Sequence, residues 1–270
     1  MKKILQIANS LALGSTIFIN YLSNTGLMNN TTIGEVSDSY KSLFTPAGYT
    51  FAIWEIIYLL LIVFAIYQGR SLFTNKITEN SFIEKTGWWF IISCVFNSLW
   101  IFAWIYEYTG LSCVFIFLLL VSLYKIVWNN RMSLDDERFP VIAFVWWPFV
   151  IYSGWVTVAS IANVSTYLVK VEWDGLGLSQ ITWTLIMISI AVLINLVMTW
   201  KRNMRGFALV GAWALIGIGN ANKDVNDTLM GVAFVSAVLL LLSIAIHAYK
   251  NRATNPFMKY KQWKALRRRE

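Results

Sequence analysis

Three sets of aromatic and amide side chains recur at helical spacing. Phe51, Trp54 and Tyr58 stand at i, i+3 and i+7. Asn97, Trp100 (with Ile101 beside it), Trp104 and Tyr108 form a second set, and Pro148, Tyr152, Trp155, Ala159 and Asn163 a third. At that spacing each set lies on one face of a helix. Flat rings converging from three helices would enclose a flat conjugated molecule by offset stacking and large buried area. Ala159 leaves room, and Asn97 and Asn163 offer hydrogen bonds. This is binding chemistry more than bond-making chemistry. The chain has one histidine, His247, and two cysteines, Cys94 and Cys113, both inside apolar runs. Without CxxC or Cys/His spacing, neither a metal site nor Cys–His catalysis is expected. The stripes also lack a convergent carboxylate pair, so an enzyme is the less favoured class.

The elements that must position these residues are membrane spans. Of 270 residues, 57% are hydrophobic and 13% charged, against about a quarter charged in soluble chains. The apolar residues come in long blocks, and eight spans are expected: 4–23, 48–68, 86–106, 110–128, 141–163, 179–200, 206–222 and 228–249. Most reach the roughly 20 residues that cross a hydrocarbon core; 206–222 is short and glycine-rich. The basic, apolar start resembles a signal peptide. Gln6, Asn9 and Ser10 interrupt it, however, and no small-x-small cleavage site follows, so a retained helix is expected. The fold class is thus an all-α integral membrane protein with eight spans.

The net charge of +8 follows this topology. Lys and Arg gather before residue 4, in 69–85, 129–140 and 201–205, and in the tail after 249. The intervening segments hold only Lys41, none, Lys170 and Lys223. This strict alternation places both termini in the cytoplasm of a multi-pass cell-membrane protein. It also argues against nucleic acid as a partner. The basic tail, 250–270, reads as a topology anchor or a contact for anionic lipids.

With that orientation the stripes share the outer half of the bilayer. At 1.5 Å per residue, Trp54 lies about 6 Å deep, Trp100 and Ala159 about 9 Å, and Asn97 and Trp155 about 14–15 Å. Together they would form an outward-facing aromatic pocket. A competing reading makes Trp54, Trp104 and Tyr108 an interfacial belt, but Trp100 and Trp155 are too deep for one. Asn97 reads equally as a ligand contact or as helix–helix glue. Glu55, the acidic residue well inside a span, points about 100° away from Trp54. It could meet ligand, water, Lys41, helix 1 or the C-terminal spans. Tyr49, Glu55 and Tyr58 are therefore additional candidates. The long polar loop from Asn24 to Thr45 leads into the helix 2 stripe and is expected to act as a lid. Gly154, Ser160 and Ala162 permit close approach of a neighbouring helix or a second subunit, and Pro148 is expected to kink its helix.

Three segments carry a family resemblance. "FTPAGYTFAIWEIIY" (44–58), "NSLWIFAWIYEYTGL" (97–111) and "WPFVIYSGWVTVASIAN" (147–163) resemble, in order, helices two, three and five of the TspO/MBR family of tryptophan-rich sensory proteins and translocator proteins. The resemblance covers about residues 1–170. It implies a five-helix membrane bundle, often dimeric, with a pocket for tetrapyrroles or sterol-like ligands and links to transport, sensing and porphyrin breakdown. Residues 171–249, a three-helix extension, and the 250–270 tail have no counterpart in short members of that family. The expected function is binding, and with it transport, of a hydrophobic ligand such as a tetrapyrrole; no other cofactor is expected. A ligand-responsive sensor and a porphyrin-modifying enzyme are the alternatives. Expected partners are the hydrophobic ligand, membrane lipids and a second copy of the chain.

Overall fold

The computed structural model describes residues 1–74, 80–252 and 255–267. Lys76 of the basic 69–85 loop and Arg268 and Arg269 of the tail lie outside these. Every element among the described residues is helical. The long helices are α1 (Lys2–Leu22), α3 (Ile53–Phe73), α5 (Trp89–Ile105), α6 (Thr109–Asn129), α8 (Trp147–Lys170), α9 (Gln180–Arg202), α10 (Arg205–Ala221) and α11 (Asp227–Lys250). Short helices α2 (Ile33–Ser39), α4 (Ser81–Thr86) and α7 (Phe139–Val141) sit in connections, and α12 (Pro256–Arg267) closes the chain. Each expected span coincides with a long helix. Five helical segments, Gly48–Phe73, Thr109–Asn129, Phe139–Lys170, Gln180–Arg202 and Asp227–Lys250, are long and apolar enough to cross a membrane, and Trp89–Ile105 is apolar but shorter.

The polar residues of α1 have partners inside the bundle. Gln6 donates to the Gln68 carbonyl and, at 2.8 Å, to Ser71; Asn9 donates to the Gln68 side chain at 3.1 Å. Thr16 donates to the Cys94 carbonyl at 3.2 Å. Polar side chains in an apolar helix are retained where they bond across to a neighbour. Here they tie α1 to α3 and α5.

Three expectations are revised. Helix 5 continues to Lys170 instead of stopping at 163. Ser165 and Thr166 look like a span end in the sequence, but both are buried, and Ser165 bonds Met187 of α9 at 2.9 Å. Helix 2 starts as a 3-10 turn over Gly48–Ala52 and runs to Phe73, past 68. The Asn24–Thr45 loop is not irregular throughout, because α2 forms inside it. Pro148 has a specific local accompaniment. A π-helical turn, Ile142–Trp146, precedes α8 and takes up the backbone disruption that Pro148 imposes one turn earlier.

The contacts sort the connections into two ends. At one, the tail end, Lys2 pairs with Glu84, Asn129 bonds the Lys85 carbonyl, Asn203 bonds the Ser133 carbonyl and Lys259 pairs with Asp136. At the other, the mouth end, the 24–52 loop meets the α5–α6 turn, the end of α8, where Lys170 lies over the Tyr40 ring, and the end of α10.

The extension is packed into the five-helix unit. Gly154 of α8 faces α10 of the same chain: a Cβ there would lie 3.0 Å from the Phe207 carbonyl oxygen. Gly154 thus serves close approach to a neighbouring helix of the same chain.

Candidate functional site

The mouth of helix 2 is shaped by Pro46 and held by α10. Ala47 leaves the proline in an extended conformation and donates its N–H to the Gly217 carbonyl at 3.0 Å. Trp213 donates to the Thr50 carbonyl at 3.1 Å, and Asn222 to the Leu43 carbonyl at 2.9 Å. Tyr49 stands edge-on to Trp213 at 5.5 Å and accepts from Asn220 at 2.6 Å. Gly217 is required at this crossing, since a Cβ would collide with Thr50. The N–H groups at a helix start lack intrahelical partners, and α10 supplies an acceptor for that of Ala47 and donors for the Leu43 and Thr50 carbonyls.

This turn delivers Phe51 and Trp54 into an aromatic cluster. Trp54 is central, stacking on Tyr58 at 5.7 Å and on Trp100 at 5.9 Å. It meets Tyr152 and Trp155 edge-on at 5.8 and 6.2 Å. Phe51 stands edge-on to Trp155 at 5.9 Å, and Trp100 continues to Trp104 at 6.0 Å. Each such pair contributes roughly 0.5–1.5 kcal/mol beyond area burial. Inside a membrane, where lipid is as apolar as leucine, packing of this kind holds helices together.

The cluster surrounds a small cavity of about 40 Å³. Phe51, Trp54, Trp100, Trp104, Trp155, Ala159 and Asn163 line it, so these seven candidates meet at one place. Ile33 and Ser37 of α2 cover it. The volume suits about one or two waters and no larger ligand. Beside it lies an open groove of about 710 Å³ between α1, the mouth turn and α2. Ile33, Ser37, Pro46, Phe51 and Trp54 line both spaces, so α2, the proline turn and these two rings together form the partition between them. Tyr49, Glu55 and Tyr58 line the groove and not the small cavity.

Asn97 and Tyr152 stand behind the cavity. Asn20 donates to Asn97 at 2.9 Å and Asn97 donates to the Tyr152 hydroxyl at 2.9 Å, joining α1, α5 and α8. Asn163 accepts from Trp100 at 2.7 Å and donates to Ser112 at 2.8 Å, joining α5, α6 and α8 while still reaching the wall. Both asparagines therefore act as helix glue in this state. At the wall of the cavity the buried Trp155 Nε1 has no partner among the described residues. Glu55 is exposed at the groove, and among the described residues it makes no ion pair with Lys41. Tyr108 is exposed on the outside of the bundle.

The cover over the cavity is α2. Thr32 and Glu35 cap it reciprocally: Thr32 accepts from the Glu35 N–H at 3.2 Å, and Glu35 accepts from the Thr32 N–H at 2.8 Å. Trp104 donates to the Ile33 carbonyl at 3.1 Å, Asn29 donates to the Ile105 carbonyl at 3.0 Å, and Val36 is buried. The far end is latched by Tyr40, whose hydroxyl donates to Glu107 at 2.6 Å. Lys170 donates to the Glu107 carbonyl at 2.6 Å and lies 3.3 Å from its carboxylate. The motif Thr32-x-x-Glu35 signals this helix in the sequence. The Tyr40–Glu107–Lys170 latch, and the roles of Asn20, Ser112 and Trp213, carry no such signal, because their partners are more than 50 positions away.

The Tyr40 hydroxyl, and after it Lys170, holds the Glu107 carboxyl below the usual carboxylate range. A depressed folded-state pKa gives stability that is present above the ordinary carboxylate value. It is lost as pH falls through the depressed one. The latch is therefore expected to loosen below about pH 4. Glu107→Gln is expected to loosen it at neutral pH, with α2 amides exchanging about two- to fivefold faster, the scale of a partly exposed ion pair. Hydrogen–deuterium exchange, corrected for intrinsic pH dependence, measures both. Unchanged α2 protection in the variant would remove Glu107 from the latch.

A family model described as TSPO-like protein matches residues 6–246, and so runs through the three helices after residue 170 that the motif resemblance did not reach. No curated protein and no solved structure matches the chain.

Proposed function

The chain belongs to the TSPO-like family, and from that premise we propose that it binds a flat hydrophobic ligand, a tetrapyrrole or a molecule of that shape, beneath α2 at the mouth end of the bundle. One observation carries this reading. Phe51, Trp54, Trp100, Trp104 and Trp155, from three helices, converge on one covered cavity. The cavity is small in this state. The adjoining groove has the volume of a small-molecule site, and Ile33 and Ser37 of α2, Pro46, Phe51 and Trp54 stand between them. Ligand entry is a lifting of α2 with a swing of these two rings, so that groove and cavity become one space. Trp155 Nε1 then finds an acceptor on the ligand; a buried donor left unpaired costs about 1–3 kcal/mol.

The topology belongs to the same proposal. Eight helices span the cell membrane with both termini in the cytoplasm. The basic-rich connections gather at the tail end, which supports that orientation. The mouth then faces outward, and transport or delivery of the ligand is the process it serves.

A sensor is the second reading, favoured by one contact. The basic helix α12 docks on the start of the helix that carries Trp155: Tyr260 and Trp263 meet Phe139 at 5.1 and 6.0 Å, and Lys259 pairs with Asp136. Occupancy at Trp155 would reach α12 through α8 and its π turn.

Tryptophan-fluorescence titration with protoporphyrin, with haem and a sterol as comparison ligands, tests the binding proposal. Trp155→Phe keeps a ring and deletes the unpaired donor. It is expected to weaken protoporphyrin binding about tenfold, the scale of one buried hydrogen bond. Equal quenching and affinity in both proteins would remove Trp155 from the site.

A further inference from the structure

A second cavity, of about 430 Å³, lies at the mouth end between the last turns of α8, the 171–179 connection and the first turns of α9. It shares no lining residue with the aromatic cavity or the groove. Its floor is apolar, from Leu168 and Met187. Trp173 and Trp183 form its aromatic corner, with ring centroids 5.0 Å apart and planes inclined at 55°.

The connection is built to hold that corner. Trp183 donates its indole N–H to the Gly175 carbonyl at 2.7 Å. Gly175 has φ +73, and a Cβ there would lie 3.3 Å from the indole nitrogen, so the loop closes over the ring only with glycine. Glu172 and Leu176 also take positive φ, 52° each. Non-glycine residues rarely adopt that conformation, and here it places Glu172 and Asp174 beside the two tryptophans.

The charges on this wall have one sign. Glu172 and Asp174 line the cavity, and no lysine or arginine does. Asp174 accepts the Leu176 N–H at 3.1 Å. Glu172 has no ion pair among the described residues. The nearest base in sequence, Lys170, is committed to Glu107. In a chain of net charge +8, this is a local acidic, aromatic recess.

Two indole faces and two carboxylates over an apolar floor match one ligand chemistry. Anions are repelled, and a neutral apolar molecule gains nothing from the carboxylates. An organic ammonium with methyl or methylene groups uses the rings through cation–π attraction, the carboxylates through charge, and the floor through its carbon groups. We propose that this recess binds an organic ammonium group, either a free amine or the head group of a choline-type lipid.

Saturation-transfer NMR on the full-length protein in maltoside micelles tests this, with choline as the probe and 3,3-dimethylbutan-1-ol as its uncharged counterpart of similar shape. Choline is expected to bind saturably, at least about tenfold tighter than the neutral alcohol. Glu172→Gln, at an exposed turn, and Trp173→Leu are each expected to weaken choline roughly fivefold or more. Equal binding of choline and the alcohol, unchanged choline affinity in both variants, or no saturable choline binding would overturn the proposal. Repeating the titration in phosphatidylcholine and phosphatidylethanolamine nanodiscs separates the sources. Loss of choline binding only in phosphatidylcholine identifies the lipid head group as the occupant. Equal binding in both identifies the free amine.

Discussion

Gly154→Leu is expected to cost about 3 kcal/mol or more of stability, and to lower the thermal midpoint in detergent by on the order of 10 °C. A Cβ at Gly154 would lie 3.0 Å from the Phe207 carbonyl oxygen, 3.2 Å from Phe207 Cα and 3.4 Å from Val210 Cβ. The first two are backbone atoms and cannot rotate away. Phe207 itself is fully buried. A leucine must therefore push α10 off α8. Gly231→Leu is the matched control, because a Cβ at Gly231 meets nothing within 4 Å; it is expected to leave the midpoint nearly unchanged. The consequence reaches the site. α10 carries Trp213, Gly217, Asn220 and Asn222 against the mouth of helix 2. Displacing it frees the turn that positions Phe51 and Trp54, so ligand affinity should fall with stability. Equal midpoints for the two glycine variants would contradict the packing of α10 on α8.

Much of the site was legible because it rests on short-range spacing. Phe51 and Trp54, Trp100 and Trp104, and Trp155, Ala159 and Asn163 share helix faces by periodicity, and those faces meet. The family motifs brought the three helices together in order. The sequence reading went less far where a residue had two compatible partners. Asn97 reads as ligand contact or glue until Asn20 and Tyr152 are seen on either side of it. Glu55 was offered helix 1, the extension, water or Lys41, and it stands exposed at the groove. The end of helix 5 was placed too early because Ser165 and Thr166 are polar, and only α9 packed against them shows why they stay helical. The role of α10 was the least legible. Its contacts with the mouth turn join residues more than 160 positions apart, and no local pattern encodes them.

The largest effect on binding is expected from filling the cavity. Ala159 lines the small space of about 40 Å³ together with Phe51, Trp54, Trp100 and Trp155. An indole at this position would occupy the room a ligand needs once α2 lifts, while leaving every ring of the cluster in the chain. Overpacking of this kind costs roughly 1–3 kcal/mol, which the bundle can absorb by displacing α2. Ala159→Leu gives a smaller step should the tryptophan variant fold poorly. The direct measurement is the protoporphyrin titration of wild type, Ala159→Leu and Ala159→Trp, each first checked for a cooperative thermal transition. Binding beneath α2 predicts saturable quenching in wild type, an affinity loss of about tenfold for leucine, and at least about 100-fold, ~2.7 kcal/mol, for tryptophan. Wild-type affinity in a folded Ala159→Trp protein would contradict the account and place the ligand elsewhere.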